Sequence, residues 1–186
     1  MKKLYFATGN AVKITRAKTH LANLYEVETI DLDTVEPQTL DQEYVAKFKV
    51  QEAFKQLKQP VFAEDVGVYI EKYNSFPGVI TKFVLQGIGL DGIKKLINEG
   101  EPAYYKMILA YTDGKNEFTV SSTMKGRLTI DKMSANYNKK VPFKSMFIPD
   151  GFDKPIADLT KEEDDKLTYS KETYQKFIEK LNEIGF

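Results

Sequence analysis

Hydrophobic and polar positions along the chain switch between strand and helix periods. Leu4-Tyr5-Phe6-Ala7 is a short apolar strand that ends in a Thr8-Gly9-Asn10 turn. After it, Ile14, Ala17, Leu21 and Leu24 recur at helical spacing, with Asn10 placed to cap the helix start. Tyr25 to Ile30 alternates like a second strand. Ala46, Val50, Ala53 and Leu57 share one face, which predicts a helix from about Asp41 to Leu57. Pro60-Val61-Phe62-Ala63 returns as a buried strand with Glu64-Asp65 at its C-terminal end. Strand, helix, strand, helix, strand predicts an α/β sheet.

The middle of the chain has another rhythm. Phe76-Pro77-Gly78 reads as a turn or loop, and Asp91-Gly92 opens a short helix carrying Ile93, Leu96 and Ile97. Tyr104 to Tyr111 and Phe118 to Ile130 read as long strands joined at Asp113-Gly114, a strong hairpin signal. Thr160-Lys161-Glu162-Glu163 has capping-box spacing, so Glu162 to Asp165 reads as the polar face of a short helix. A last helix from about Ser170 presents Phe177, Ile178, Leu181 and Ile184 on one side. The expected architecture is α/β: a mixed sheet in two lobes with a central cleft, residues 1–186 forming a single two-lobed domain. A cleft between lobes is the natural place for a ligand.

Composition narrows the chemistry. The 186 residues carry 27 basic and 27 acidic side chains, a balance that argues against wrapping nucleic acid. No apolar run approaches the roughly 18 residues of a membrane span, and the charged start at Met1-Lys2-Lys3 reads as a first strand and not as a secretion signal. Cysteine is absent, which removes disulfides, zinc ribbons, iron–sulfur clusters and thiol catalysis together. The single histidine, His20, lies beside an apolar stripe and reads as a packing or surface residue. Any chemistry here rests on carboxylates, lysines, hydroxyls and backbone amides.

Two places carry candidates. In Thr8-Gly9-Asn10-Ala11-Val12-Lys13, a glycine between strand and helix lets amides approach an anion at a helix N-terminus, and Lys13 can reach back over it. The competing reading is an ordinary strand-to-helix turn with a solvated lysine. Glu64-Asp65 stands where α/β sheets bind ligands, and with no His pair or Cys available its metal would be a hard cation, most plausibly Mg2+. Glu36 could add a carboxylate from the loop after the second strand; solvated acids in a turn are the alternative. Lys47 and Lys49 flank opposite sides of the second helix's apolar stripe, so only one of them faces a given cleft easily. A phosphate cradle, lysines and paired carboxylates without histidine describe metal-assisted hydrolysis of a phosphoanhydride.

The order of motifs resembles a known family. Phe6-Ala7-Thr8-Gly9-Asn10 with Lys13, then Glu36, Gln51-Glu52-Ala53 and Pro60 to Asp65 with Gly67, occur as in the inosine/xanthosine triphosphate pyrophosphatases. Phe76-Pro77-Gly78 with Lys82-Phe83, Gly126-Arg127-Leu128 and Phe147 to Gly151 continue the match over nearly the whole chain. The resemblance implies two α/β lobes around a deep cleft, and a Mg2+-dependent cytoplasmic homodimer. It implies cleavage of deaminated purine triphosphates to monophosphate and pyrophosphate. It makes Thr8, Gly9, Asn10 and Lys13 the triphosphate turn, and Glu36 and Asp65 the metal carboxylates. Asp65 is also the general base, with Lys13 beside it in catalysis, and Lys49 the helix lysine that meets phosphate. Val66 and Lys82 join the substrate-binding set. No nucleic-acid or membrane partner is implied.

The departures fall on the base. Pro142-Phe143-Lys144-Ser145 stands where the family has Gly-aromatic-Asp-Pro, and Thr168-Tyr169-Ser170 where it has Ser-His-Arg. Asp164 stands where the family has a lysine. Phe143 and Tyr169 remain able to stack on a base, and stacking tolerates any base. The expectation is a nucleoside triphosphate pyrophosphatase of altered or relaxed base preference. The rivals are a nucleotide-binding protein of the same fold without useful turnover, and a metal-dependent phosphatase releasing orthophosphate.

Overall fold

The computed structural model describes residues 1–32, 37–74 and 76–186. Asn10 caps the first helix: its side chain accepts from the amides of Val12 and Lys13 at 2.9 and 3.4 Å. Strand β1 (Lys2–Ala7) therefore turns at Thr8 to Asn10 into helix α1 (Ala11–Leu21), and β2 (Tyr25–Ile30) returns parallel to β1, Ala7 opposite Ile30. Asp41 caps α2 (Gln42–Leu57) in the same manner, accepting from Glu43 and Tyr44. Strand β3 (Val61–Ile70) pairs parallel with β1. The acids expected at its end, Glu64 and Asp65, instead lie within it. The strand continues through them because each buried carboxylate has partners, described below.

Pro77-Gly78, expected as a turn, forms the short strand β4 (Pro77–Gly78), antiparallel to β3 across a cis Phe76–Pro77 bond. The helical stretch α3 (Thr81–Leu96) starts ten residues before Asp91 and is broken at Gly89, with φ 60°. Gly87 and Gly89 are poor helix formers, which hides this segment from a periodicity reading. Strands β5 (Glu101–Thr112) and β6 (Glu117–Leu128) form the expected hairpin. There the Asp113 carboxylate accepts from the amides of Lys115 and Asn116, at 2.8 and 2.6 Å, and Gly114 takes φ 85°. Strand β7 (Phe147–Pro149) lies antiparallel to β6. Helix α4 (Lys161–Asp164) carries the predicted capping box, and α5 (Tyr169–Glu183) is the last helix. Among the described residues the strands make one seven-stranded mixed sheet in the order β2-β1-β3-β5-β6-β7, with β4 added beside β3. No helix among the described residues is long and apolar enough to cross a membrane.

The chain divides into two compact units. The first holds residues 1–65, 107–122 and 170–186. On one face of its strands Ala46, Val50 and Ala53 of α2 pack on Val61, Ala63, Ile108 and Ala110. On the other, Phe62 stacks on Phe6 with ring centroids 4.2 Å apart and meets Phe177 of α5 at 5.2 Å. The second unit holds residues 66–106 and 123–169, around a core of Ile93, Ile97, Tyr105, Met124, Phe143 and Phe147.

Candidate active site

Successive side chains of a strand point to opposite faces, and this separates the two neighbouring acids of β3. Asp65 falls on the side of Val61 and Ala63, under α2. Its Oδ1 lies 3.3 Å from the Lys49 ammonium, and its Oδ2 accepts from the Gln42 amide at 3.0 Å. Gln42 and Lys49 stand seven residues apart on α2, two helical turns, so both reach the same carboxylate. Lys47 turns elsewhere and pairs with Glu43 at 2.8 Å. Asp65 and Lys49 keep 12% and 17% of their side-chain surface, whereas the Glu64 side chain keeps none.

Glu64 falls on the side of Phe62, under α1 and α5. Its carboxylate is fully buried, held by Arg16 at 2.6 Å and by the Tyr174 hydroxyl at 3.1 Å. Burial, and then the Glu64 charge, push the Tyr174 phenol far above its ordinary pKa, so it stays a hydrogen-bond donor. His20 stacks on Tyr174 at 4.7 Å, with Nε2 3.5 Å from the Ser170 hydroxyl. Burial lowers its pKa, which fits the expected packing role.

Lys13 connects the first turn of α1 to the same strand: its ammonium donates to the Glu64 backbone carbonyl at 2.6 Å. Burial pulls its pKa down, and the Glu64 and Asp65 carboxylates act against that pull. In the turn itself, Thr8 Oγ1 accepts from the Asn10 amide at 3.1 Å, and Asn10 takes the Val12 and Lys13 amides. The cap thus occupies amides that a phosphate cradle of this type would use. Gly9 is exposed beyond the ends of β1 and β2.

Other expected residues are placed as follows. Glu36 lies outside the described residues. Val66 is half-buried next along β3, and Lys82 is exposed on α3 with its ammonium over the Phe83 ring, both in the second unit. Tyr169 opens α5, its ring 6.4 Å from that of Tyr105. Phe143 was expected to stack on a base, but it is 2% exposed and packs in the core of the second unit. The sequence reading missed Gln42, Arg16 and Tyr174. Arg16 follows Lys13 by one helical turn, a visible signal, whereas Tyr174 is 110 residues from Glu64.

Among the described residues no group of three or more His, Cys, Asp or Glu side chains converges as a metal cluster. The metal-binding chemistry at Asp65 is nevertheless carboxylate oxygen, with no sulfur or imidazole beside it, which suits a hard divalent cation.

Comparison with known proteins identifies the family and the fold. A model of the Ham1 family matches residues 4–180. A dITP/XTP pyrophosphatase of Methanopyrus kandleri is 33% identical over 181 residues, covering 95% of each chain. One from Pyrococcus horikoshii is 30% identical over 184 residues, covering 96% of each. Among solved structures, a HAM1 protein from Coxiella burnetii superposes with a TM-score of 0.79 at 17% identity, over 98% of this chain and 100% of that one. The Staphylococcus aureus Ham1 protein gives 0.74 at 20% identity over the whole of both chains. These two establish the likeness of fold, a mixed α/β sheet. With the family match spanning almost every element described above, the chain belongs to the Ham1 family.

Proposed function

We propose that the protein is a Mg2+-dependent nucleoside triphosphate pyrophosphatase that hydrolyses nucleoside and deoxynucleoside triphosphates, deaminated purine nucleotides among them, to the monophosphate and pyrophosphate. The observation that carries the reading is Asp65: a carboxylate inside a buried strand, held between Lys49 and Gln42, with Lys13 anchored on the preceding peptide. The names of the relatives, dITP/XTP pyrophosphatases, support the same reaction.

In this reading Asp65 accepts the proton of a water that attacks the α-phosphorus, and pyrophosphate leaves. Lys13 and Lys49 balance the charge that builds on the phosphoryl oxygens. Burial strips water from Lys13, so its ammonium acts on phosphate more strongly than a solvated one would. Asp65 and Glu36 would hold the Mg2+, which when bound neutralises the polyphosphate charge. Val66, Lys82 and Tyr169 belong to the proposed substrate-binding set, and the homodimer and cytoplasmic setting that the resemblance implies are part of the same proposal.

Base preference is proposed to be relaxed. A pocket discriminates strongly only where a buried donor or acceptor would be left unpaired by the wrong base. The residues at 142–145 and 168–170 do not supply the family's set, and Phe143 is committed to the core. The test is a panel of inosine, xanthosine and ordinary purine and pyrimidine triphosphates with Mg2+, monophosphate and pyrophosphate being quantified. The expected result is release from several of them, with the spread in kcat/KM below about a hundredfold. Folded protein that binds these nucleotides and releases nothing would favour the binding-protein reading. Orthophosphate as the product would favour the phosphatase.

A further inference from the structure

One acidic side chain outside the expected set lies against the Thr8 to Asn10 turn. The Thr8 amide donates to the Ile30 carbonyl at 2.8 Å, which ties the turn to the end of β2, so the next residue, Asp31, follows beside Gly9. The contact is intimate. An ideal Cβ built on Gly9 would meet Asp31 Cγ at 2.5 Å and Oδ1 at 2.6 Å, with Oδ2 nearer still. Any other side chain at position 9 would have to displace the carboxylate, so glycine there makes room for Asp31 as well as for a ligand. Both residues are exposed, just beyond the C-terminal ends of the parallel strands β1 and β2, the edge where α/β sheets receive ligands.

A carboxylate is a poor neighbour for a polyphosphate. Two negative groups in near contact repel, whereas a divalent cation carried on the polyphosphate removes that repulsion or reverses it. Resting on the proposed function, we propose that the polyphosphate lies against the Thr8 to Asn10 turn and that Asp31 makes this turn selective for cation-bound over cation-free polyphosphate. It is a specificity determinant of the substrate's ionic form, distinct from Asp65 and Glu36. The device would exclude the free tetra-anion, which could occupy the turn without reacting.

The test is calorimetric titration of wild type and Asp31→Asn with inorganic tripolyphosphate, once with excess Mg2+ and once with EDTA. In EDTA the variant is expected to bind about tenfold more tightly than wild type, the size of one unit charge in near contact across a partly solvated gap. With Mg2+ the two should agree within about twofold, since the charge that Asp31 opposes is already neutralised. Equal tightening in both conditions would reduce Asp31 to a general repulsive charge and overturn the proposal, as would no change in EDTA. Wild type that takes up no tripolyphosphate with Mg2+ would instead overturn the underlying assignment of the turn. Because Asp31 is exposed, its replacement by Asn should leave the melting temperature unchanged, which separates these outcomes from misfolding.

Discussion

Asp65→Asn is expected to abolish turnover while nucleotide binding persists. The substitution keeps the shape of the side chain and an oxygen that can still accept from Gln42 or Lys49, now 3.0 and 3.3 Å from the carboxylate. What disappears is the basic oxygen that takes the proton of the attacking water, together with half of the negative charge offered to a cation. Loss of a general base alone costs about 10²–10⁴-fold in rate, so kcat should fall at least a thousandfold, to ~0.1% or less. Stability should change little, by about 1 kcal/mol, because Lys49 is partly solvated and can turn to water. Rapid-quench kinetics beside equilibrium binding measures both quantities. Retained kcat would show that another group activates the water.

Arg16→Met should produce the largest loss of stability of any single change at the site. The Glu64 carboxylate has no exposed surface, and Arg16 is its 2.6 Å ion-pair partner. Removing the cation leaves a buried charge with the Tyr174 hydroxyl as its remaining side-chain hydrogen-bond partner shown at 3.1 Å. Breaking a buried pair in this way costs about 3–5 kcal/mol, against about 1 kcal/mol or less for solvent-exposed pairs in general. Adding Glu64→Gln to Arg16→Met should recover about half of the loss or more, since the buried charge is then gone. Urea unfolding of the two single variants and the double variant reads the coupling directly. A single-variant cost below about 1 kcal/mol would mean that water or another cation reaches Glu64.

Much of this was legible in the sequence where the governing interactions are local. The Asn10 and Asp41 caps, the α2 stripe of Ala46, Val50 and Ala53, and the Asp113-Gly114 hairpin each depend on residues within a few positions of one another. The strand through Glu64-Asp65 was not legible as a continuous strand, because acids inside it are tolerable only with partners elsewhere. Arg16 is 48 residues away and Tyr174 is 110. Once the strand is known to continue, its period of two dictates that the neighbouring acids go to opposite faces, Glu64 toward Arg16 and Tyr174 and Asp65 toward Gln42 and Lys49. Phe143 shows the reverse error. Its aromatic ring makes it able to stack on a base as far as the sequence goes, while the fold spends it on the core of the second unit. Asp31 was invisible for another reason: nothing in its own neighbourhood of sequence shows that β1 and β2 end side by side.

In the proposed reaction, water attacks the α-phosphorus of a triphosphate. Hydrolysis of inosine triphosphate by the wild-type protein with Mg2+ in water enriched in oxygen-18, followed by mass spectrometry of both products, tests it most directly. One labelled oxygen in the monophosphate and none in the pyrophosphate is the predicted result; label in the pyrophosphate, or labelled orthophosphate in its place, would contradict it.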